Sequence, residues 1–135
     1  MMSRRTRLIS GILLVLYLGV VCFLCFAQLD DLPKVGRTLF GLELDKVVHF
    51  LMFLPMAPLI YFTYGRVIPG FWRSLGVTLV MFVIGCVIAA GTELGQGLTK
   101  YRTQDPKDFL ADAYALGAGT LISFLINLIL CHRKS

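Results

Sequence analysis

Phe109–Cys131, FLADAYALGAGTLISFLINLILC, is the stretch on which the fold turns. One carboxylate, Asp112, interrupts it, and no basic residue does. A helix needs ~20 mostly apolar residues to cross the ~30 Å hydrocarbon core of a bilayer, and this run supplies them. Just before it, Asp105-Pro106-Lys107-Asp108 reads as a helix start, with Asp105 at the N-cap, Pro106 at the first helical position and Asp108 at the third. Three runs of the same kind come earlier, at about Leu8–Ala27, Val47–Tyr64 and Leu75–Thr92. The segments between them, roughly 28–46, 65–74 and 93–108, are too short to fold alone. The expected fold is all-α, a single domain over residues 1–135 built as an integral membrane four-helix bundle.

Composition points the same way. Of the 135 residues, 57% are hydrophobic and 16% charged, which is not the balance of a water-soluble domain. The start, with Arg4, Arg5 and Arg7 ahead of an apolar run, also has the form of a signal peptide. The run of ~20 residues exceeds a typical h-region of about 7–15, and Cys25-Phe26-Ala27 is a poor cleavage site. The first span is therefore expected to stay as an anchor. Cys22, Cys25, Cys86 and Cys131 all fall within or at the end of apolar helices. The Cys22-x-x-Cys25 pair has no second pair at zinc-finger spacing, so the four read as small apolar residues rather than disulfides or a metal site.

An even number of spans puts both termini on one side. Arg4, Arg5, Arg7, Arg66, Arg73, Arg133 and Lys134 then share a face, and the positive-inside tendency makes it cytoplasmic. All eight acids, Asp30, Asp31, Glu43, Asp45, Glu93, Asp105, Asp108 and Asp112, fall on the opposite face. The net charge of +5 is thus a basic inner face, not a nucleic-acid footprint.

Spacing decides which polar groups converge. Asp45 and His49 are i,i+4, Glu93 and Gln96 are i,i+3, and Asp108 and Asp112 are i,i+4, so each pair lies on one side of its helix. Helix capping accounts for Asp105 and Asp108. It does not account for Asp112, ~6 Å deeper at 1.5 Å per residue, nor for Glu93 near the unfavourable pole of its helix dipole. Arg102, Lys46, a protonated His49 or a bound cation are the groups that would neutralise them. Ionisable residues in the membrane zone are by default a functional hypothesis. Arg102, Lys46 and His49 suit a phosphate or pyrophosphate, while Glu93 or an Asp acts as acid or base or carries a divalent cation. The alternative is a self-satisfied salt-bridge network that locks this end of the bundle without a ligand. Pro55 and Pro58 predict a bent second span. Gly85/Ala89, Gly91/Gly95, Ala111/Ala115/Gly119 and Ala113/Gly117 allow the last two helices to approach closely.

In order, the chain carries Asp45-Lys46-x-x-His49-Phe50, Glu93-x-x-Gln96, Arg102-x-x-Asp105-x-x-Asp108 and a small-residue tail ending at Gly119. From about residue 45 to 120 this resembles the VanZ-like family. Two positions depart from its pattern: Asp112 stands where Asn is common and Ala115 where Gly is usual, so ligand preference is expected to differ. The resemblance implies a multi-pass protein of a bacterial cytoplasmic membrane, similar to an accessory protein associated with tolerance to teicoplanin-type glycopeptides, with no established molecular activity. The expected role is binding of membrane lipids, with polyprenyl-phosphate-linked envelope precursors as the headgroup class. No cofactor is expected, a divalent cation being left as an open option, and no nucleic acid. Against an enzyme acting on a lipid phosphate, the hydroxyls near the cluster are limited to Thr92, Thr99, Thr103, Tyr101 and Tyr114, although His49 or a metal-bound water could serve such chemistry. Transport is disfavoured because there is no internal repeat.

Overall fold

A computed structural model of the chain describes residues 3–26, 38, 39, 41–99 and 106–133, with the backbone alone at 38, 39, 42, 43 and 45. Its elements are α1 (Arg4–Phe26), β1 (Thr38–Leu39), β2 (Leu42–Glu43), α2 (Leu44–Phe53), α3 (Met56–Tyr64), α4 (Phe71–Gly97) and α5 (Pro106–His132). Four helical stretches are long and apolar enough to cross a membrane: Arg4–Phe26, Lys46–Tyr64, Phe71–Gly97 and Pro106–His132. The antiparallel pair β1–β2, in register Thr38↔Glu43 and Leu39↔Leu42, is a short addition to an all-helical fold. It was not legible in a segment read as a loop.

The distribution of polarity is inverted relative to a water-soluble bundle. Leu8, Val15 and Phe23 on α1, Val80, Val83 and Val87 on α4, and Leu121 and Ile129 on α5 are all exposed. Continuous apolar surface of this extent does not face water. The interior instead holds Ser10, His49, Ser74, Thr78, Glu93, Gln96, Asp108, Asp112, Ser123 and Asn127 alongside a core of Val21, Cys25, Met52, Phe53, Met56, Ala89, Ala115 and Leu116. Lipid tails are as apolar as Leu, so packing and interhelical hydrogen bonds, not apolar burial, hold such helices together.

α4 and α5 make the most extensive pairing, followed by α1 with α3 and α2 with α5. Small residues set the first of these. A Cβ at Gly85 would lie 2.6 Å from Leu116 Cδ2, so that side chain fills the space glycine leaves. Gly91, by contrast, faces open space and takes no part in the interface. No disulfide joins the four cysteines, and Cys25 is buried in the core.

The bend expected in the second span is a complete break. α2 ends at Phe53, Leu54 and Pro55 form a turn, and α3 restarts with the Leu59 N–H donating to the Pro55 carbonyl at 3.0 Å. Pro55 causes it, having no N–H with which to continue the ladder. Pro58 falls in the first turn of α3, where the N–H groups have no intrahelical partner in any case. Its ring therefore costs no hydrogen bond there, and of the two prolines expected to bend the span Pro55 alone interrupts it. At the break the Tyr17 hydroxyl of α1 donates to the Met52 carbonyl, and the Leu54 carbonyl lies where a Cβ on Gly119 would stand. Backbone contact with α5 thus requires glycine at 119.

The start of α1 and the end of α5 lie at one end of the bundle, with the loop around residues 65–70. Arg7 packs on Gly65, which caps α3 in the left-handed region at φ 67°, and the Cys131 thiol donates to the Ile68 carbonyl at 3.2 Å. At this end Arg66 stacks over Tyr64 at 5.9 Å and Trp72 is exposed, the cation and aromatic belt expected at a membrane interface. α4 and α5 are 27 residues each, or ~40 Å at 1.5 Å per residue. They exceed the ~30 Å hydrocarbon core, so their end turns, which carry the charged groups, reach interfacial depth.

Candidate functional site

The site lies at the other end of the bundle, where the start of α2, the end of α4 and the start of α5 meet. α5 begins at Pro106 as its residue types dictate, placing Asp108 in the first turn and Asp112 one turn deeper on the same side. α2 carries Lys46 and His49 three residues apart, hence on one face. α4 continues to Gly97, beyond the expected end near Thr92, and so places Glu93 inside the helix.

These side chains converge on the imidazole of His49. Its Nδ1 lies 3.1 Å from Asp112 Oδ1 and 3.9 Å from Glu93 Oε1, while Nε2 lies 3.9 Å from Asp108 Oδ2. Asp108 Oδ1 in turn pairs with Lys46 Nζ at 3.7 Å. Asp112 is wholly buried, and His49, Glu93 and Asp108 are buried. One donor atom from each of His49, Glu93 and Asp112 falls within a sphere where all three lie within 4.8 Å of one another. This is the donor set that could hold a cation. Asp108 sits at the favourable pole of its helix and Glu93 at the unfavourable one.

Of the nine residues singled out in the sequence, Lys46, His49, Glu93, Asp108 and Asp112 are brought together. Gln96 is buried but serves elsewhere: its amide donates to the Cys25 carbonyl of α1 at 3.1 Å. Thus Glu93 and Gln96, three residues apart, tie α4 to two different neighbours. Arg102, Asp105 and the side chain of Asp45 lie outside the described residues, and with Arg102 the guanidinium fork of the anion-binding reading.

A groove of about 530 Å³ runs beside this cluster. Val47, Phe50 and Leu51 of α2 form one wall, and Leu110, Ala111 and Tyr114 of α5 the other. Lys46 and Lys107, the lining residues nearest the helix starts, contribute their carbon stems to an almost wholly apolar lining. The groove was not foreseen, because two helices must be placed side by side before their apolar positions make walls.

A second polar cluster was also missed. Asn127, wholly buried in α5, accepts at Oδ1 from the Tyr61 hydroxyl and the Ile68 N–H, both at 2.8 Å. Its Nδ2 donates to the Ile68 carbonyl at 2.9 Å and to Ser74 Oγ at 2.8 Å. The available signal was an amide inside an apolar run, where an unsatisfied polar group costs several kcal/mol by order of magnitude. No family model, no curated protein and no solved structure matches this chain.

Proposed function

We propose that this chain is a VanZ-like accessory protein of a bacterial cytoplasmic membrane, with its termini in the cytoplasm and the His49 end facing outward. There it binds the phosphate-bearing headgroup of a membrane lipid, polyprenyl-phosphate-linked envelope precursors being the class it fits, and so alters susceptibility to teicoplanin-type glycopeptides. The observation that carries the reading is the groove between α2 and α5, apolar almost throughout, with the side-chain stems of Lys46 and Lys107 lining it near the helix starts. A hydrocarbon chain fits the walls, and the ammonium groups of Lys46 and Lys107, beyond the apolar lining, would meet a phosphate outside the groove, Lys46 while paired with Asp108, which is the layout of a lipid phosphate. The order of motif residues from Asp45 to Gly119 supports the family assignment.

The test is native mass spectrometry of protein gently extracted from membranes, comparing wild type with Lys46→Ala/Lys107→Ala, Arg102→Ala and Ala111→Trp, the last of which fills the groove. Retention of a polyprenyl phosphate by wild type and its loss from the lysine and groove variants is the expected result. Equal retention by all four proteins would reject the site.

A second reading is favoured by the Lys46–Asp108 pair and the His49–Asp112 contact, which already join α2 to α5: a structural clasp without ligand. It predicts no retained lipid and a loss of stability in the lysine variant. An enzyme acting on the same lipid phosphate would differ from a binder by turnover of that lipid on purified protein.

A further inference from the structure

His49 presents a single nitrogen to two carboxylates. Nδ1 lies 3.1 Å from Asp112 Oδ1 and 3.9 Å from Glu93 Oε1. If Nδ1 carries a proton it can point at one of them; if it carries a lone pair, it and both oxygens are all donors toward the space between. The other nitrogen has a carboxylate on its own side. Nε2 faces Asp108 Oδ2 at 3.9 Å, and Asp108 is itself oriented by Lys46 at 3.7 Å. Without an ion, a proton on Nδ1 serves the 3.1 Å contact with Asp112; a metal ion bound at Nδ1 replaces that proton and leaves the N–H on Nε2, the side on which the Asp108 carboxylate lies, as in carboxylate–histidine–metal arrays.

Distances agree with a metal polyhedron. Metal–nitrogen and metal–oxygen bonds of about 2.0–2.2 Å at tetrahedral angles place neighbouring ligand atoms about 3.3–3.6 Å apart. The two Nδ1–carboxylate separations, 3.1 and 3.9 Å, bracket that edge. The third edge falls within the same cluster, in which no pair of donor atoms exceeds 4.8 Å. The three ligands come from α2, α4 and α5, so each helix fixes one vertex. A nitrogen with two carboxylates suits a borderline divalent ion such as Zn²⁺ rather than Ca²⁺, which takes six to eight oxygens, or Mg²⁺, which prefers oxygens and keeps several of its waters.

We infer that His49 Nδ1, Glu93 and Asp112 form a divalent transition-metal site of the Zn²⁺ class, with Asp108 as the positioning carboxylate behind His49. Three protein ligands leave a fourth tetrahedral position open, and that position is filled by water or by an anionic oxygen. The site needs no lipid, so its test stands apart from the lipid-headgroup reading.

The experiment uses full-length protein in detergent, carrying a purification tag without histidine, stripped with a chelator and titrated with Zn²⁺ alone. His132, the other histidine of the chain, sits at the opposite end of the bundle. One tightly held ion per chain is expected in wild type, with affinity at least about tenfold lower in Asp112→Asn and Glu93→Gln and binding abolished in His49→Ala. Because a substitution here can also disturb folding, Co²⁺ is added to wild type as a second measurement. The intense visible bands of a four-coordinate Co²⁺ with nitrogen and oxygen ligands are expected. Failure of folded wild type to retain Zn²⁺, unchanged affinity in the three variants, or a Co²⁺ spectrum identical to that of the hydrated ion would each overturn the assignment.

Discussion

Two buried polar clusters occupy opposite ends of this bundle, and they are built by different rules. At the Asn127 end one neutral amide receives two donors and gives two, all at 2.8–2.9 Å, and two of its partners are the N–H and carbonyl of one loop residue, Ile68. At the His49 end the contacts run between charged or ionisable side chains on three helices, at 3.1–3.9 Å. The first arrangement has short, saturating hydrogen bonds to backbone, which suits a part of the architecture. The second has longer separations around a shared centre, which suits a site whose geometry tightens on something else. Position in the membrane does not explain the contrast, since each cluster lies a few turns or less from a helix end.

The largest effect should therefore come from the neutral end. Asn127→Ala leaves the Ile68 N–H and the Tyr61 hydroxyl without their partner at a buried position, and the Ile68 carbonyl with the Cys131 thiol alone. Interhelical side-chain hydrogen bonds in membrane bundles average ~0.6 kcal/mol and reach about 1.7 kcal/mol, so the loss of four implies about 2–7 kcal/mol. Thermal unfolding in detergent, followed by circular dichroism, should show it, and an unshifted midpoint would remove the architectural role. Ser74→Ala, which removes one of those four bonds, should cost only about 0.6 kcal/mol.

Gly119→Ala tests the connection between the two ends and should rank between those two substitutions. The added Cβ meets the Leu54 carbonyl, which is backbone and belongs to the turn at Pro55. Overpacking of this kind costs typically ~1–3 kcal/mol. Because the break sets the direction in which α2 leaves toward His49, the substitution should also disturb the charged cluster. Gly91→Ala, facing open space, is the control and should leave the midpoint unchanged.

What was legible beforehand follows from how local each signal is. Span number and approximate limits depend on runs of apolar residues, and those survive any detail of packing. The convergence of Lys46, His49, Glu93, Asp108 and Asp112 followed from helical spacing plus the alternating direction of the spans. Gln96 shows the limit of that logic: with Glu93 it shares a side of α4, yet three residues along the helix were enough to send it to α1. Asn127 was passed over because a single amide in an apolar run has no partner in its own sequence neighbourhood. Its partners Tyr61, Ile68 and Ser74 belong to α3, a loop and α4, and only the assembled bundle selects them. The groove between α2 and α5 escaped for the same reason.

The smallest change in stability is expected where the change in binding is greatest. Asp112→Asn keeps the shape and one acceptor oxygen facing His49 Nδ1, and removes a buried negative charge whose desolvation is costly. If the His49 end is a site rather than a staple, the unfolding midpoint should move by less than that of Asn127→Ala, by about 1 kcal/mol or under. Zn²⁺ affinity should fall at the same time. The two quantities are then uncoupled at one end of the molecule and absent as a pair at the other, where Asn127→Ala lowers stability without a specific effect on the ion. Should Asp112→Asn destabilise the bundle as much as Asn127→Ala, the distinction between the ends would vanish, and the long separations around His49 would belong to a clasp made of charges.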